Sequence, residues 1–206
     1  MATNGRFKTD DIDKFYDYNI NLITRTLYMG SFYSDGEDES GTDAMMAESV
    51  IKGLHVLDNC DRSSDNGEKP ITIIMNNLGG HYYHGMAIYD AIAMCKNRVE
   101  INAYGSAMSM GSIIIQAADV RRMTKHSTML VHYGESGYYG HSPTSVRWAD
   151  ETKRINKWVE DLYLEKIHER HPSFSRERLE KWMVSDKFLT PEEAVKWNLI
   201  DEVLGP

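Results

Sequence analysis

Cysteine is almost absent from this chain, with two in 206 residues. Cys60 and Cys95 have no metal-ligand spacing, so both read as small hydrophobes in helices, the usage of a reducing cytosol. Positive charge is also scarce. The 23 Lys and Arg against 31 Asp and Glu leave a net charge of −8, and no basic cluster with interleaved aromatics occurs, which argues against a nucleic-acid partner. No apolar run approaches membrane-spanning length, and the charged N-terminus does not read as a signal peptide. The expected location is therefore cytoplasmic, with no membrane partner. What the chain does have is apolar content: 41% hydrophobic over 206 residues suits a single domain, 1–206, with a substantial core.

Metal-binding patterns are lacking too. The acidic loop Phe32 to Thr42 has carboxylates without the spacing or terminal ligand of a calcium loop, and reads as solvated. His81 and His84 straddle two tyrosines, but no carboxylate or cysteine completes a set, so substrate-edge or solvent contacts are expected. His55, His126, His141, His168 and His171 read as surface or boundary residues. No metal and no cofactor is expected.

The order of elements points to an α/β fold. Residues 1–19 are polar and read as a flexible N-terminal segment, and Ile20 to Met29 reads as a strand with imperfect alternation. Asp43 to Asn59 reads as a helix with Met46, Val50, Leu54 and Leu57 on one face. A turn-rich insert, Asp61 to Lys69, leads into a strand at 71–76. Then follow a helix at 85–95, a strand at 99–104, a helix at 110–118 and strands near 120–124 and 128–132. Such βα alternation implies a mostly parallel sheet with helices packed on it. The longest helical signal, Thr144 to Glu169, is ended by His171-Pro172. Its stripe of Trp148, Thr152, Ile155, Val159 and Leu162 is widened by Trp158 and Tyr163.

Chemistry concentrates in Gly105-Ser-Ala-Met-Ser-Met-Gly-Ser-Ile-Ile-Ile115. A small-residue turn after a strand sets Ser109 against the first turn of an apolar helix, where unpaired amides favour a developing oxyanion. Taken alone, the run is better explained by Ser106, Ser109 and Ser112 capping a buried helix. Two further segments reverse that preference. His132 follows the apolar strand Thr128-Met-Leu-Val131, where an imidazole would emerge from a sheet. Asp186 lies in a short connection before a helix signalled by Thr190 as N-cap, Pro191 at the first position and Glu193 completing a capping box. Ser, His and Asp in this order can form a triad, since a triad is defined by geometry. Asn76-Asn-Leu-Gly-Gly80 adds a glycine turn after a strand, where backbone can approach a ligand closely.

From about Ile71 to Leu204 the chain resembles the proteolytic subunits of the Clp protease, the ClpP family. Asn76-Asn-Leu-Gly-Gly80 is similar to the family's Asn-Ser-Pro-Gly-Gly, and Gly85-Met-Ala-Ile-Tyr-Asp90 to its Gly-Met-x-Ile-Tyr-Asp. Ala107-Met-Ser-Met-Gly111 resembles the Ala-Ala-Ser-Met-Gly around the nucleophile, and Met129-Leu-Val-His132 the Val-Met-Ile-His at the catalytic histidine. Asp186-Lys-Phe-Leu-Thr190, with Glu193-Ala194 and Leu199-Ile-Asp-Glu-Val203, resembles the family's C-terminal motifs. The chain departs from the family at three places. Asn77-Leu78 replaces Ser-Pro, which removes proline's fixed φ before the glycines. The stretch Ala118 to Arg122 is about two residues short and trims a hairpin, and Tyr133 to His141, which resembles the start of the family's handle, stands where the family shows Gln-Pro followed by its own glycine-rich run.

The resemblance implies a ClpP/crotonase-like fold with repeated βα units and a protruding helical handle at about 133–170. It implies Ser109 as nucleophile, His132 as general base and acid, and Asp186 as the residue orienting the imidazole. Backbone amides matching Gly80 and Met110 would form the oxyanion hole. The implied function is a serine endopeptidase acting on polypeptides, assembled as a homo-oligomer of stacked heptameric rings with the handle helix at a subunit interface and fed by an AAA+ unfoldase. Alternatives are a ClpP-like capsid maturation protease acting without an unfoldase, a crotonase-like acyl-CoA enzyme, or a catalytically silent ring subunit.

Overall fold

The computed structural model describes residues 15–30, 41–59, 69–138 and 140–205. The acidic loop up to Ser40, most of the 61–69 insert, Cys60 and residues 1–14 lie outside the described residues. Among the described residues eight strands form one sheet: β1 (Ile20–Asn21), β2 (Thr26–Met29), β3 (Ile71–Asn77), β4 (Val99–Met108), β5 (Val120–Thr124), β6 (Thr128–Val131), β7 (Lys187–Leu189) and β8 (Glu202–Leu204). The order β1-β2-β3-β4-β5-β8 is parallel from β2 onward, as the βα alternation requires. β6 leaves this path to pair parallel with β4, and β7 pairs antiparallel with β6.

The helices are α1 (Ala44–Asn59), α2 (Tyr82–Ala93), α3 (Met110–Ile114), α4 (Ser142–His168), α5 (Arg176–Val184) and α6 (Pro191–Lys196). Asp43 Oδ1 accepts from the Met46 N–H at 2.8 Å and starts α1, whose expected stripe of Met46, Val50, Leu54 and Leu57 is fully buried. The capping box at α6 forms as expected: Thr190 Oγ1 accepts from the Glu193 N–H, and Glu193 Oε2 accepts from the Thr190 N–H. The strands alternate buried and half-buried residues, and the core closes over Ile71, Ile73, Met75, Ile101, Ala103 and Met129.

Four expectations need correction. Ile20 to Met29 is two strands, because Asn21 Oδ1 accepts from the N–H groups of Ile23 and Thr24 and Arg25 takes φ 54°. The side chain thus builds a turn in place of extended backbone, and Leu22 and Ile23 are left exposed. β4 does not stop at Tyr104. It bends at Gly105 (φ 71°) and runs on to Met108, because Ser106, Ala107 and Met108 pair with Thr128, Met129 and Leu130. β5 and β6 do not form a hairpin with each other. β5 pairs with Glu100–Ala103 of β4 and β6 with Ser106–Met108, so a bent central strand with two halves gives each its own partner. The helix expected at 110–118 is α only to Ile114 and closes as a 3-10 turn over Ile115–Ala117.

The long helix matches its expected extent within two residues, but its aromatics divide. Trp158 is 45% exposed, whereas Tyr163 is 1% exposed. Tyr163 therefore belongs to the core and does not widen an outward face. No helix among the described residues is long and apolar enough to cross a membrane.

Candidate active site

The parallel ladder puts the C-terminal ends of β3, β4 and β6 side by side, the end of an α/β sheet where ligands bind. Asn77 at the end of β3 pairs with Ala107, and Met108 at the end of β4 pairs with Leu130. The Ser109 N–H donates to the Leu130 carbonyl at 3.1 Å, which sets Ser109 one peptide away from the end of β6. His132 then leaves β6 directly. Across the antiparallel β6–β7 pair, Val131 opposes Lys187, so Asp186, immediately before β7, comes up beside His132. Asp186 adopts φ 48° at this corner.

His132 Nδ1 lies 3.2 Å from Asp186 Oδ1. A carboxylate accepts, so in the neutral form of the imidazole the proton sits on Nδ1 and Nε2 carries the lone pair. Nε2 is buried and has no hydrogen-bond partner among the described residues. No hydrogen bond joins it to Ser109 Oγ in this structure, though both residues line the same cleft. The His132 side chain is 20% exposed and that of Asp186 63%. The cleft has a volume of about 740 Å³, and its walls include Tyr82, Tyr133, Ile155, Tyr138 and Trp148. Those last two rings stack with centroids 5.7 Å apart. His81 also lines the cleft, its ring 4.7 Å from that of His84.

Of the three serines in the motif, only Ser109 is partly accessible. Ser106 is buried and donates to Asn76 Oδ1 at 2.8 Å, and Ser112 is fully buried. Ser109 has φ 50° and ψ −121°, a conformation that costs a non-glycine residue on the order of 1–3 kcal/mol and clusters at functional sites. Gly79 permits it. With φ 106°, a Cβ on Gly79 would stand 2.4 Å from Ser109 Cβ and 2.9 Å from Oγ.

Two peptide units lie next to this serine. Met110 opens α3, where first-turn N–H groups have no intrahelical acceptor. The Gly79–Gly80 peptide is held from behind: the Thr42 N–H donates to the Gly79 carbonyl at 2.5 Å, and the His81 N–H donates to the Thr42 carbonyl at 2.7 Å. Because C=O and N–H of a trans peptide point in opposite directions, fixing the Gly79 carbonyl on Thr42 directs the Gly80 N–H away from it.

Sequence reasoning missed the residues that hold this loop. Leu78 stands where proline's restraint is lost, yet the Oδ1 of Asn77 beside it accepts from the Gly79 N–H at 2.7 Å and its Nδ2 donates to Thr42 Oγ1 at 3.0 Å. An asparagine two residues before a glycine is a signal for this turn. Tyr133 donates to Glu160 Oε1 at 2.8 Å, and Glu160 also accepts from Arg176 at 2.6 Å. This ties the segment after His132 to α4 and α5. Burial and the Glu160 contact both push the Tyr133 phenol up, so it stays a donor.

Residues 39–206 match the family described as Clp protease. The ATP-dependent Clp protease proteolytic subunit of Deinococcus radiodurans is 34% identical over 195 residues, covering 93% of this chain and 86% of that relative. A solved ClpP1 variant from Listeria monocytogenes superposes with a TM-score of 0.72 at 24% identity, covering 90% of this chain and 94% of that one. That likeness establishes the fold, a mixed α/β sheet with helices of the ClpP/crotonase type. Profile, relative and fold agree over nearly the same residues, and the chain therefore belongs to the Clp protease family of serine-type peptidases.

Proposed function

We propose that Ser109, His132 and Asp186 are the catalytic triad of an endopeptidase, with the Gly80 and Met110 N–H groups as its oxyanion hole. The observation that carries this reading is the buried, unpartnered Nε2 of an imidazole whose Nδ1 faces Asp186. Such a nitrogen accepts the Ser109 proton as Oγ attacks a peptide carbonyl, and Asp186 stabilises the imidazolium that forms. The two amides then receive the charge on the carbonyl oxygen, and the imidazolium returns its proton to the leaving amine. This reading requires the Ser109–His132 hydrogen bond to form with substrate bound, as is common for catalytic hydrogen bonds that are long in the free enzyme.

We also propose that the chain is one peptidase domain, with 133–170 as a handle, and works in a closed homo-oligomer of stacked heptameric rings. Val146, Trp148 and Trp158 along α4 are exposed, and a symmetric assembly is the usual way to bury such a repeated surface. The name of the Deinococcus relative, an ATP-dependent proteolytic subunit, supports an AAA+ unfoldase as the partner that feeds polypeptides to enclosed sites. A fluorophosphonate probe tests the chemistry: it should label Ser109, and Ser109→Ala should lose both labelling and peptide hydrolysis while folded. Labelling at Ser106 or Ser112, or no labelling of the assembled protein, would refute the assignment. Cleavage of folded proteins at discrete sites without nucleotide would replace the unfoldase setting with that of a capsid maturation protease.

A further inference from the structure

The Ser109 carbonyl is held from behind by a side chain that the chemistry above does not use. The Ser112 N–H donates to it at 3.0 Å and the Ser112 hydroxyl at 2.7 Å. Ser112 Oγ also lies 2.6 Å from the hydroxyl of Tyr163, fifty-one residues away on α4. A serine hydroxyl has one hydrogen, and here it is committed to the Ser109 carbonyl, so in the second contact the phenol is the donor. Both residues are shut off from solvent, Ser112 at 0% and Tyr163 at 1% exposure, and burial raises the phenol's pKa, which keeps its proton in place. A directed relay thus runs from Tyr163 O–H to Ser112 O–H to the Ser109 carbonyl.

The relay acts on the peptide that contains the oxyanion donor. The Ser109 carbonyl and the Met110 N–H belong to one peptide unit, and no peptide bond among the described residues is cis. Holding the oxygen on one side therefore aims the hydrogen to the other. That peptide needs holding, because Ser109 at φ 50° and ψ −121° is in a region that surroundings must over-determine. Thr42 holds the Gly79–Gly80 peptide in the same manner, but with a backbone N–H; at Met110 the task falls partly to two side-chain hydroxyls.

We infer that Ser112 and Tyr163 are positioning residues for peptide hydrolysis, their hydroxyl relay fixing the Ser109–Met110 peptide plane so that the Met110 N–H meets the oxyanion. This rests on the reading of Met110 as an oxyanion-hole donor. Neither hydroxyl touches substrate. The effect belongs to the transition state, so it falls on kcat and not on KM.

The test uses the assembled protein with Ser112→Ala, Tyr163→Phe and the double variant, read by peptide kinetics, by affinity for a peptide boronate and by melting temperature. Ser112→Ala retains the backbone N–H bond, so its kcat should fall by about tenfold, less than the ~10²–10³ lost with an oxyanion donor itself, at nearly constant KM. Tyr163→Phe should lose less. Boronate affinity should fall in step with kcat/KM, because the adduct places an oxygen where the oxyanion forms. The double variant separates positioning from plain structural support. Replacing both hydroxyls leaves no orphaned buried group, so its melting temperature should recover towards wild type, while kcat should stay at the Ser112→Ala level. Recovery of kcat together with the melting temperature overturns the inference, as does wild-type kcat and boronate affinity in all three variants. Should Ser112→Ala not fold, Tyr163→Phe and the double variant carry the same comparison. If Ser109→Ala still hydrolyses peptides, the triad reading itself has failed; if it is inactive while Ser112→Ala keeps full kcat, only the positioning role has.

Discussion

Val131 and Lys187 are direct partners across the antiparallel β6–β7 pair, and this pairing sets the distance between His132 and Asp186. Each catalytic candidate is the residue adjoining a paired one, so the imidazole and the carboxylate meet because two short strands are in register. A slip of one residue would turn every side chain of β7 to the opposite face. Leu189, buried against Met129, would then be exposed, so burial of one leucine helps keep an ionisable pair aligned.

Asp186→Ala should leave the fold in place, because the side chain is 63% exposed and among the described residues pairs with His132 alone. Peptide hydrolysis should drop by about 10³- to 10⁴-fold, the loss typical when an imidazole no longer has its orienting carboxylate. Kinetics alongside a thermal melt check this. Near-normal turnover with an unchanged melt would remove Asp186 from the mechanism.

Gly79→Ala should disable the serine without replacing any residue of the proposed triad. The new methyl would stand 2.4 Å from Ser109 Cβ at a backbone φ of 106°. We expect destabilisation of about 1–3 kcal/mol and a loss of fluorophosphonate labelling, measured by mass spectrometry of the intact protein. Labelling at the wild-type rate would mean that Ser109 does not need its strained conformation.

Acid should weaken the C-terminal part of the sheet through Asp201. Burial alone would push its carboxyl up, but the side-chain and backbone hydrogen bonds from Arg121 outweigh burial and hold it below its ordinary value. A carboxyl whose pKa is depressed in the folded state stabilises the fold above its unfolded pKa, and that contribution disappears as pH falls through the folded pKa. Wild type should therefore lose melting temperature below about pH 4, and Asp201→Asn should show a shallower fall there. Arg121 is buried, also donating to Gln116 Oε1 and the Asn198 carbonyl. Arg121→Ala should cost about 3–5 kcal/mol, the range for breaking a buried pair from one side.

Cys95 should resist alkylation at neutral pH. Burial pushes its thiol up to about 11, and its Sγ donates to the Ala91 carbonyl at 3.2 Å. Iodoacetamide treatment of the folded protein followed by peptide mapping should find Cys95 unmodified until denaturant is added. Modification in native buffer would show that the end of α2 opens readily.

The parts of the fold legible in the sequence are those with a local cause. Thr190, Pro191 and Glu193 signal α6 by themselves, and the Met46-to-Leu57 stripe signals α1. What escaped depends on partners far along the chain. Nothing near Tyr104 says that β4 continues, because the reason is Thr128–Leu130 in another strand. Tyr163 shares its helix face with the buried Val159 and Ile167, and its hydroxyl partner Ser112 lies fifty-one residues away in the chain. The candidate site was legible through its motifs, while its supports, Thr42 on Gly79 and Asn77 on the glycine turn, join segments whose pairing no local pattern reveals.

The bend at Gly105 also divides the central strand energetically. Its first half is clamped between β3 and β5, whereas its second half, which leads to Ser109, meets β6 over three residues and β3 at Asn77 alone. Amide protons at Ser106–Ser109 and Thr128–Val131 then exchange through a smaller opening event than those at Ile101 or Ile73. The end of the sheet that carries the candidate site should thus open ahead of the rest of the sheet.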